Sequence, residues 1–379
     1  MRNRSLDMNE EDYVLWCDVD DVVLHMMGAR DIILFNPDID VFRFQLRSRT
    51  EIGTEEMIFH TNLFKNKKEY RFRGRVHEDI LPSMNEAGSK LTTTNITIQH
   101  MGYLNLKTWK EKNLRNYKFL LQDLQDSAHS LTYYHIVNCL LIIGGYENML
   151  KAVKYVDECF EKFPLKNDDP LLPKMWVLRG VACMDAKQDA AAKQSFLKAY
   201  DEWKHPEAAV NLAELLMREK DYDKVLDVLK PIYDLKEFKL SNIPMDVVQA
   251  ECMMLQKMGE AYYQKAMMET GKPEYVQKAE QHFREYLSIR QNLMVIDRLC
   301  QILRNTGRQD EAAFITRGAV NQFPGYHIGF GNLGAYEIDK KCFVTAKLFL
   351  KECLRLKPDQ PEAKHNLEMI ENIERSKKK

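Results

Sequence analysis

Nothing in the 379 residues approaches the run of roughly twenty apolar positions that a membrane-spanning helix requires. The eight cysteines, at positions 17, 139, 159, 183, 252, 300, 342 and 353, include no CxxC pair. That leaves neither a zinc-site spacing nor a disulfide framework, and buried reduced thiols acting as small hydrophobes are expected. The opening Met1-Arg2-Asn3-Arg4-Ser5 leads into Asp7, Glu10, Glu11 and Asp12 instead of an apolar stretch. This is not the pattern of a secretory leader, and a cytoplasmic location is expected. A formal net charge of −1 argues against a general binder of nucleic acid or anionic membrane.

What the chain does have is enough apolar material, 45% of residues, to bury more than one core, and two textures that meet near residue 105. Before that point short β-like runs alternate with turns. The runs Tyr13–Cys17, Ile39–Leu46, Met57–Leu63, Tyr70–Val76 and Thr92–Gln99 read as strands, punctuated by Gly28, Asn36-Pro37, Gly53 and Gly88. After it, strand signals nearly vanish. Cys300 to Gly334, Ala312 to Ala346 and Pro324 to Pro358 are each 34 positions apart, the tetratricopeptide length. The same small, aromatic and proline positions recur in Trp176, Gly180, Ala192, Phe196, Ala199 and Pro206. Fainter copies bring the count to about six units. Small residues let two helices approach, large apolar ones fill the gap, and proline stops the second helix. The unit around Gly259 and Phe283 carries extra residues, Thr270 to Pro273, and should bear a loop. The helix Glu362–Glu374 and the basic tail after it read as a solvated cap.

The residue types that could carry chemistry lie in the first part. Asp18-Val19-Asp20 ends an apolar run, and side chains at i and i+2 of a strand share a face, so the two carboxylates form a bidentate site for a hard divalent cation. Such an ion commonly neutralises the diphosphate of a nucleotide sugar. An Asp-rich strand-end turn is the plainer reading. On a strand over Tyr70–Val76, Arg71, Arg73 and Arg75 would share one face, suited to phosphate or else simply solvated at a sheet edge. No aromatic stacking platform accompanies this basic stretch, so nucleic acid is not expected as a partner.

Asp18-Val19-Asp20-Asp21, Asn62-Leu63-Phe64-Lys65-Asn66, Gly74-Arg75-Val76-His77-Glu78, Ile98-Gln99-His100-Met101-Gly102-Tyr103 and Lys112-x-x-Arg115-Asn116 follow one another in order, with the repeats directly after. This series resembles the family 2 GT-A glycosyltransferases joined to tetratricopeptide repeats, among them the glycocin peptide S-glycosyltransferases. The resemblance implies an inverting transfer from a UDP-sugar. Asp18 and Asp20 would hold Mn²⁺ or Mg²⁺, and Arg75 and His77 would contact the donor phosphates. Glu78 would act as base, with Asp79 as the fallback, and His100 would serve as a third metal ligand or a diphosphate contact. Each has a plain structural alternative: a helix-capping turn for His77-Glu78-Asp79, and a hydrogen-bonded strand end for His100.

The expected fold is α/β, a partial GT-A domain with an open mixed sheet, followed by an all-α tetratricopeptide solenoid. The expected divisions are 1–105 for the transferase part, 106–129 for a connecting helix, 130–358 for the repeats, and 359–379 for the capping helix and tail. In the resembled family further βαβ units precede the Asp18 strand, so the sequence is expected to be an N-terminally truncated form, with Tyr13–Cys17 a central strand left without neighbours. The expected function is sugar transfer to a peptide, protein or glycan acceptor, with the repeats presenting the acceptor or forming a homodimer. The alternative is a non-catalytic tetratricopeptide scaffold carrying a degenerate half domain.

Overall fold

A computed structural model describes residues 2–18, 21–24, 29–49, 55–76, 78–100, 106–126, 128–235, 247–269 and 272–377. The chain forms two compact units, Met1–Glu251 and Cys252–Lys379, dividing inside a helix.

The first unit opens with α1 (Arg2–Asp7), β1 (Tyr13–Leu15), β2 (Asp21–Leu24), α2 (Ala29–Phe35), β3 (Val41–Arg49), β4 (Glu55–Lys65), α3 (Leu81–Glu86) and β5 (Leu91–His100). The strands make one mixed sheet in the order β1-β4-β3-β5-β2. β3 runs parallel to β5 and antiparallel to β4, while β1 and β2 pair antiparallel at the two edges. Alternation sorts the apolar side chains. Val14, Trp16, Val41 and Phe64 pack with Leu6, Tyr70, Phe72, Ile80 and Met84 on one face. Phe42, Phe44, Leu63, Ile96 and Ile98 pack with Ile32 and Ile33 of α2 on the other. A register shift between Phe42 and Arg43 marks a bulge in the β3–β4 pairing.

Two expectations are corrected. Of Tyr13–Cys17 only Tyr13–Leu15 forms a strand, an edge strand antiparallel to its neighbour and not a central parallel one. Residues 70–76 form no strand, only an isolated bridge between Arg73 and Asp79. Gly74, at φ +91°, turns the backbone out of extended geometry at that point.

Helices then follow: α4 (Leu106–Asp126), α5 (Ser130–Ile143), α6 (Tyr146–Lys162), α7 (Leu171–Asp185), α8 (Asp189–Trp203), α9 (Pro206–Arg218) and α10 (Tyr222–Leu235). Val76 packs against the core that Leu120, Tyr133, Val137, Val156 and Met175 form, which ties the sheet region to the first helices. α11 (Val247–Met268) spans the division between the units, and the second unit continues with α12 (Pro273–Ile289), α13 (Leu293–Asn305), α14 (Gln309–Gln322), α15 (His327–Asp339), α16 (Phe343–Leu356) and α17 (Pro361–Lys377).

From α5 to α16 the described helices fall into tetratricopeptide-like pairs, and the reason is steric. A Cβ placed on Gly180 would lie 2.3 Å from the Phe196 ring, one on Gly259 2.6 Å from Phe283, and one on Gly334 2.6 Å from Leu350. In these three pairs the first helix gives up a side chain so that a fully buried one from the second can touch its backbone. The turn inside the pair repeats as well. Lys187, Lys220, Gly307 and Lys341 all adopt left-handed backbone, with φ between 60° and 78°. In each, the next residue's N–H reaches back to the helix: Gln188 to Cys183 O, Asp221 to Leu216 O, Arg308 to Leu303 O and Cys342 to Glu337 O. This is the Schellman closure, which satisfies carbonyls left open at a helix end.

Gly180→Ala and Gly334→Ala should each destabilise the chain by about 1–3 kcal/mol through overpacking against Phe196 and Leu350. Gly318→Ala, in helical backbone where an added Cβ meets nothing within 4 Å, should stabilise by up to ~1 kcal/mol. Urea unfolding of the three variants checks the contrast, and equal effects at all three would contradict the packing account.

Candidate functional site

The segment after β1 turns tightly. The Asp18 backbone N–H donates to Asp21 Oδ2 at 2.8 Å, and the Asp21 N–H returns to Asp18 O at 3.0 Å. That leaves Asp21 Oδ1 to meet His100 Nδ1 at 2.9 Å, both side chains well shielded, at the β2–β5 edge where the register sets the two residues opposite each other. Asp18 is more exposed and receives Arg2 at 3.3 Å. The same guanidinium donates through Nε to Glu78 Oε2 at 2.7 Å. Arg2 is held over the rings of Trp16 and Phe72, which lie 4.9 Å apart. Asn3 fixes α1 in place by exchanging two hydrogen bonds with the Phe72 backbone, at 2.7 and 2.9 Å.

The structure therefore brings Asp18 and Glu78 together across one arginine and places His100 on Asp21. Asp79 pairs its backbone with Arg73, and its carboxylate accepts the Leu81 N–H at 2.9 Å at the start of α3. Asp20 and His77 lie outside the described residues. Among the described residues no three His, Cys, Asp or Glu side chains converge as a metal site would require.

The three arginines of residues 71–75 do not gather on one phosphate-facing surface. Arg71 binds Asp7 at 2.9 Å, and Arg73 binds Glu86 through two contacts at 2.5 and 2.7 Å. Arg75 clamps Asp123 and Asp126 of α4 at 2.6 and 2.5 Å, and its backbone N–H also reaches Asp123. Arg75 thus joins the sheet region to the first long helix.

The linear pattern does not single out Arg43 or His60, while Asn62 stands in the Asn62–Asn66 motif; the structure sets all three on the paired strands β3 and β4. Arg43 Nη2 donates to Phe59 O at 2.8 Å, while Arg43 Nε, His60 Nδ1 and Asn62 Oδ1 are buried without a hydrogen-bond partner. Burial lowers the His60 pKa, opposed by the charge of Asp79, by Asn62, and by the charges of Asp18 and Asp21. Burial also lowers the Arg43 pKa, again opposed by Asp79. Burial, then the charges of Asp21 and Asp18, push the Cys17 thiol up, away from a reactive thiolate.

The first helices of successive pairs offer a second kind of surface. In the first unit Lys174 of α7 grips Glu207 of α9 at 2.6 and 2.8 Å. His205 sits beside that ion pair with Nδ1 buried and unpartnered. Burial pushes its pKa down to about 4, with Glu207 opposing and Lys174 assisting. In the second unit Arg298 of α13 holds Glu260 of α11 at 2.9 and 3.0 Å and lies over the Tyr263 ring. Charges on this surface are largely satisfied across neighbouring helices.

The chain matches no known protein family and no curated protein. Solved structures that are similar in part are helical-repeat proteins. The C-terminal part of a TPR repeat-containing protein from Cytophaga hutchinsonii is 14% identical, with a TM-score of 0.49 over 69% of this chain and 98% of that one. The APC/C hetero-tetramer Cut9–Hcn1 is 15% identical, with a TM-score of 0.45 over 70% of this chain, which spans about half (48%) of the chain it matches. YrrB, described as a TPR protein with an unusual peptide-binding site, is 16% identical, with a TM-score of 0.42 over 56% of this chain and 98% of that one. The repeat assignment rests on the helix pairs themselves.

The His60 ring should titrate below the usual histidine range, and Asp79→Asn should move its midpoint lower still, since a neighbouring negative charge is removed. Ring NMR across pH reads this directly; an unchanged midpoint would place Asp79 away from His60. His205 is neutral in the fold at pH values where the unfolded chain, with an ordinary pKa near ~6.5, takes up a proton. Its contribution to stability is therefore complete above about 6.5 and lost as pH falls toward 4. His205→Gln should flatten that part of the stability profile in urea unfolding.

Proposed function

We propose that this protein is a helical-repeat binding protein whose partner is a peptide or protein segment held on the first helices of its repeats. The observation that carries the reading is the surface those helices present. Ion pairs link neighbouring first helices within each unit, Lys174–Glu207 in the first and Glu260–Arg298 in the second. Such a surface is continuous along adjacent helices and suits an extended chain.

A second reading has its own support. Asp18, Glu78 and Arg2 meet at one point, with Asp21–His100 and Asp79 in the same region of the sheet. That gathering supports descent from a metal-dependent transferase acting on a nucleotide sugar, in which Glu78 would take the acceptor's proton and Asp18 would hold the ion. Arg2 now engages both carboxylates, and a divalent ion would compete with it for Asp18. In this chain the sheet region then serves as a support for the repeats, tied to them by Arg75 and Val76.

The two readings separate in thermal unfolding of the full chain with UDP-glucose or UDP-N-acetylglucosamine and Mn²⁺. The binding-protein reading expects no change in Tm, and the same curve for the double variant Asp18→Ala, Asp20→Ala. It also expects saturable binding to members of a peptide array. A metal-dependent rise in Tm that the double variant abolishes would establish the transferase reading instead.

A further inference from the structure

The second unit contains an open cavity of about 250 Å³, lined by Gln256, Glu260, Phe283, Met294, Val295 and Arg298. Its floor follows from the repeat packing. Gly259 admits the Phe283 ring against the α11 backbone, and Val295 is buried at the start of α13. Met294 stands at the mouth with 64% of its surface exposed. A flexible thioether there can move aside or close over an occupant at little cost.

The polar groups around the cavity restrict what can enter. Arg298 spends Nε and Nη2 on the two oxygens of Glu260 and Nη1 on Gln301, and Glu260 Oε1 accepts a further bond from Gln264. Each charge is thus already matched by the other, and the pair carries no net charge to attract an ionic ligand. The backbone N–H groups of Met294 and Val295, which would otherwise point at an anion, are taken by Asn292 Oδ1 at 2.9 and 3.4 Å. A charged group entering here would lose its water and find no counter-charge. Gln256 differs from these. Its amide donates to the sulfur of Met294 at 3.4 Å, a weak acceptor that a peptide carbonyl would readily replace.

We propose that this cavity is the anchor pocket for one neutral apolar side chain, leucine- or methionine-like, of an extended peptide whose own backbone carbonyl takes the Gln256 amide from Met294. The inference rests on the peptide-binding reading and adds to it a location and a side-chain preference. Phe283 and Val295 supply the apolar contact. The closed Glu260–Arg298 pair forms a rim that a neutral residue passes and an acidic or basic one does not.

The test uses the full chain labelled with ¹³C at the methionine methyls, the Met294 signal being identified with Met294→Leu. The probes are N-acetyl-leucine methylamide and the corresponding aspartate and lysine compounds. The expected result is a saturable shift of the Met294 methyl with the leucine probe alone, weakened about fivefold in Gln256→Leu for the loss of one hydrogen bond. The side chain at 256 is only partly buried, so that variant retains the fold. A Met294 methyl that moves with none of the probes, or equally with all three, overturns the proposal. If array peptides bind while Met294 stays unmoved, the pocket is wrong and the binding-protein reading stands. Absence of binding to both probes and arrays overturns both.

Discussion

The contact on which this structure depends is a large buried side chain pressed against the backbone of the helix before it. Phe196 on Gly180, Phe283 on Gly259 and Leu350 on Gly334 are the same event in three pairs. Each requires a missing Cβ on one helix and a rigid apolar group on the next, and each fixes how closely the two helices approach. The left-handed turns at Lys187, Lys220, Gly307 and Lys341 then return the chain from the first helix of a pair to the second. Lysine in left-handed backbone costs about 1 kcal/mol relative to glycine, a cost that tight packing of the helices on either side offsets.

The sheet region obeys a different constraint. It is built from two apolar faces separated by strict alternation, yet its polar residues are the informative ones. Arg43, His60 and Asn62, on the two strands that the β3–β4 bulge joins, keep buried polar atoms without hydrogen-bond partners, and His60 feels acidic side chains from two segments, Asp18 and Asp21 in one and Asp79 in the other. Arg2 draws two of the predicted site carboxylates into one ion-paired group, while Arg75, which the sequence pattern points toward phosphate, is committed to Asp123 and Asp126. Exposed ion pairs of this kind add little stability, so the Arg75 clamp matters more for orientation than for energy.

Legibility differed between the two parts for a physical reason. A repeat is read from residue type and spacing alone, since the packing of a small residue against a large one is local and the small positions recur at 34, as from Cys300 to Gly334 and from Ala312 to Ala346. A site assembled from distant strands is not local. The Asp18–Asp20 spacing suggested shared geometry, but it is Asp21 that meets His100, because strand register decides which residues face each other. The arginines 71, 73 and 75 alternate as a strand would, yet Gly74 breaks the strand and sends each to its own carboxylate.

The sequence by itself determined the helix pairs, their length and the small residues at their contacts, and it located the acidic segments of the first hundred residues. Only the tertiary structure decided which of those acids meet, that Arg2 lies between two of them, and that the Glu260–Arg298 pair lines a cavity together with Phe283. The difference is one of range. Steric fit between neighbouring helices is encoded at fixed short spacing, whereas electrostatic partnership depends on where the folded backbone brings charges from far along the chain.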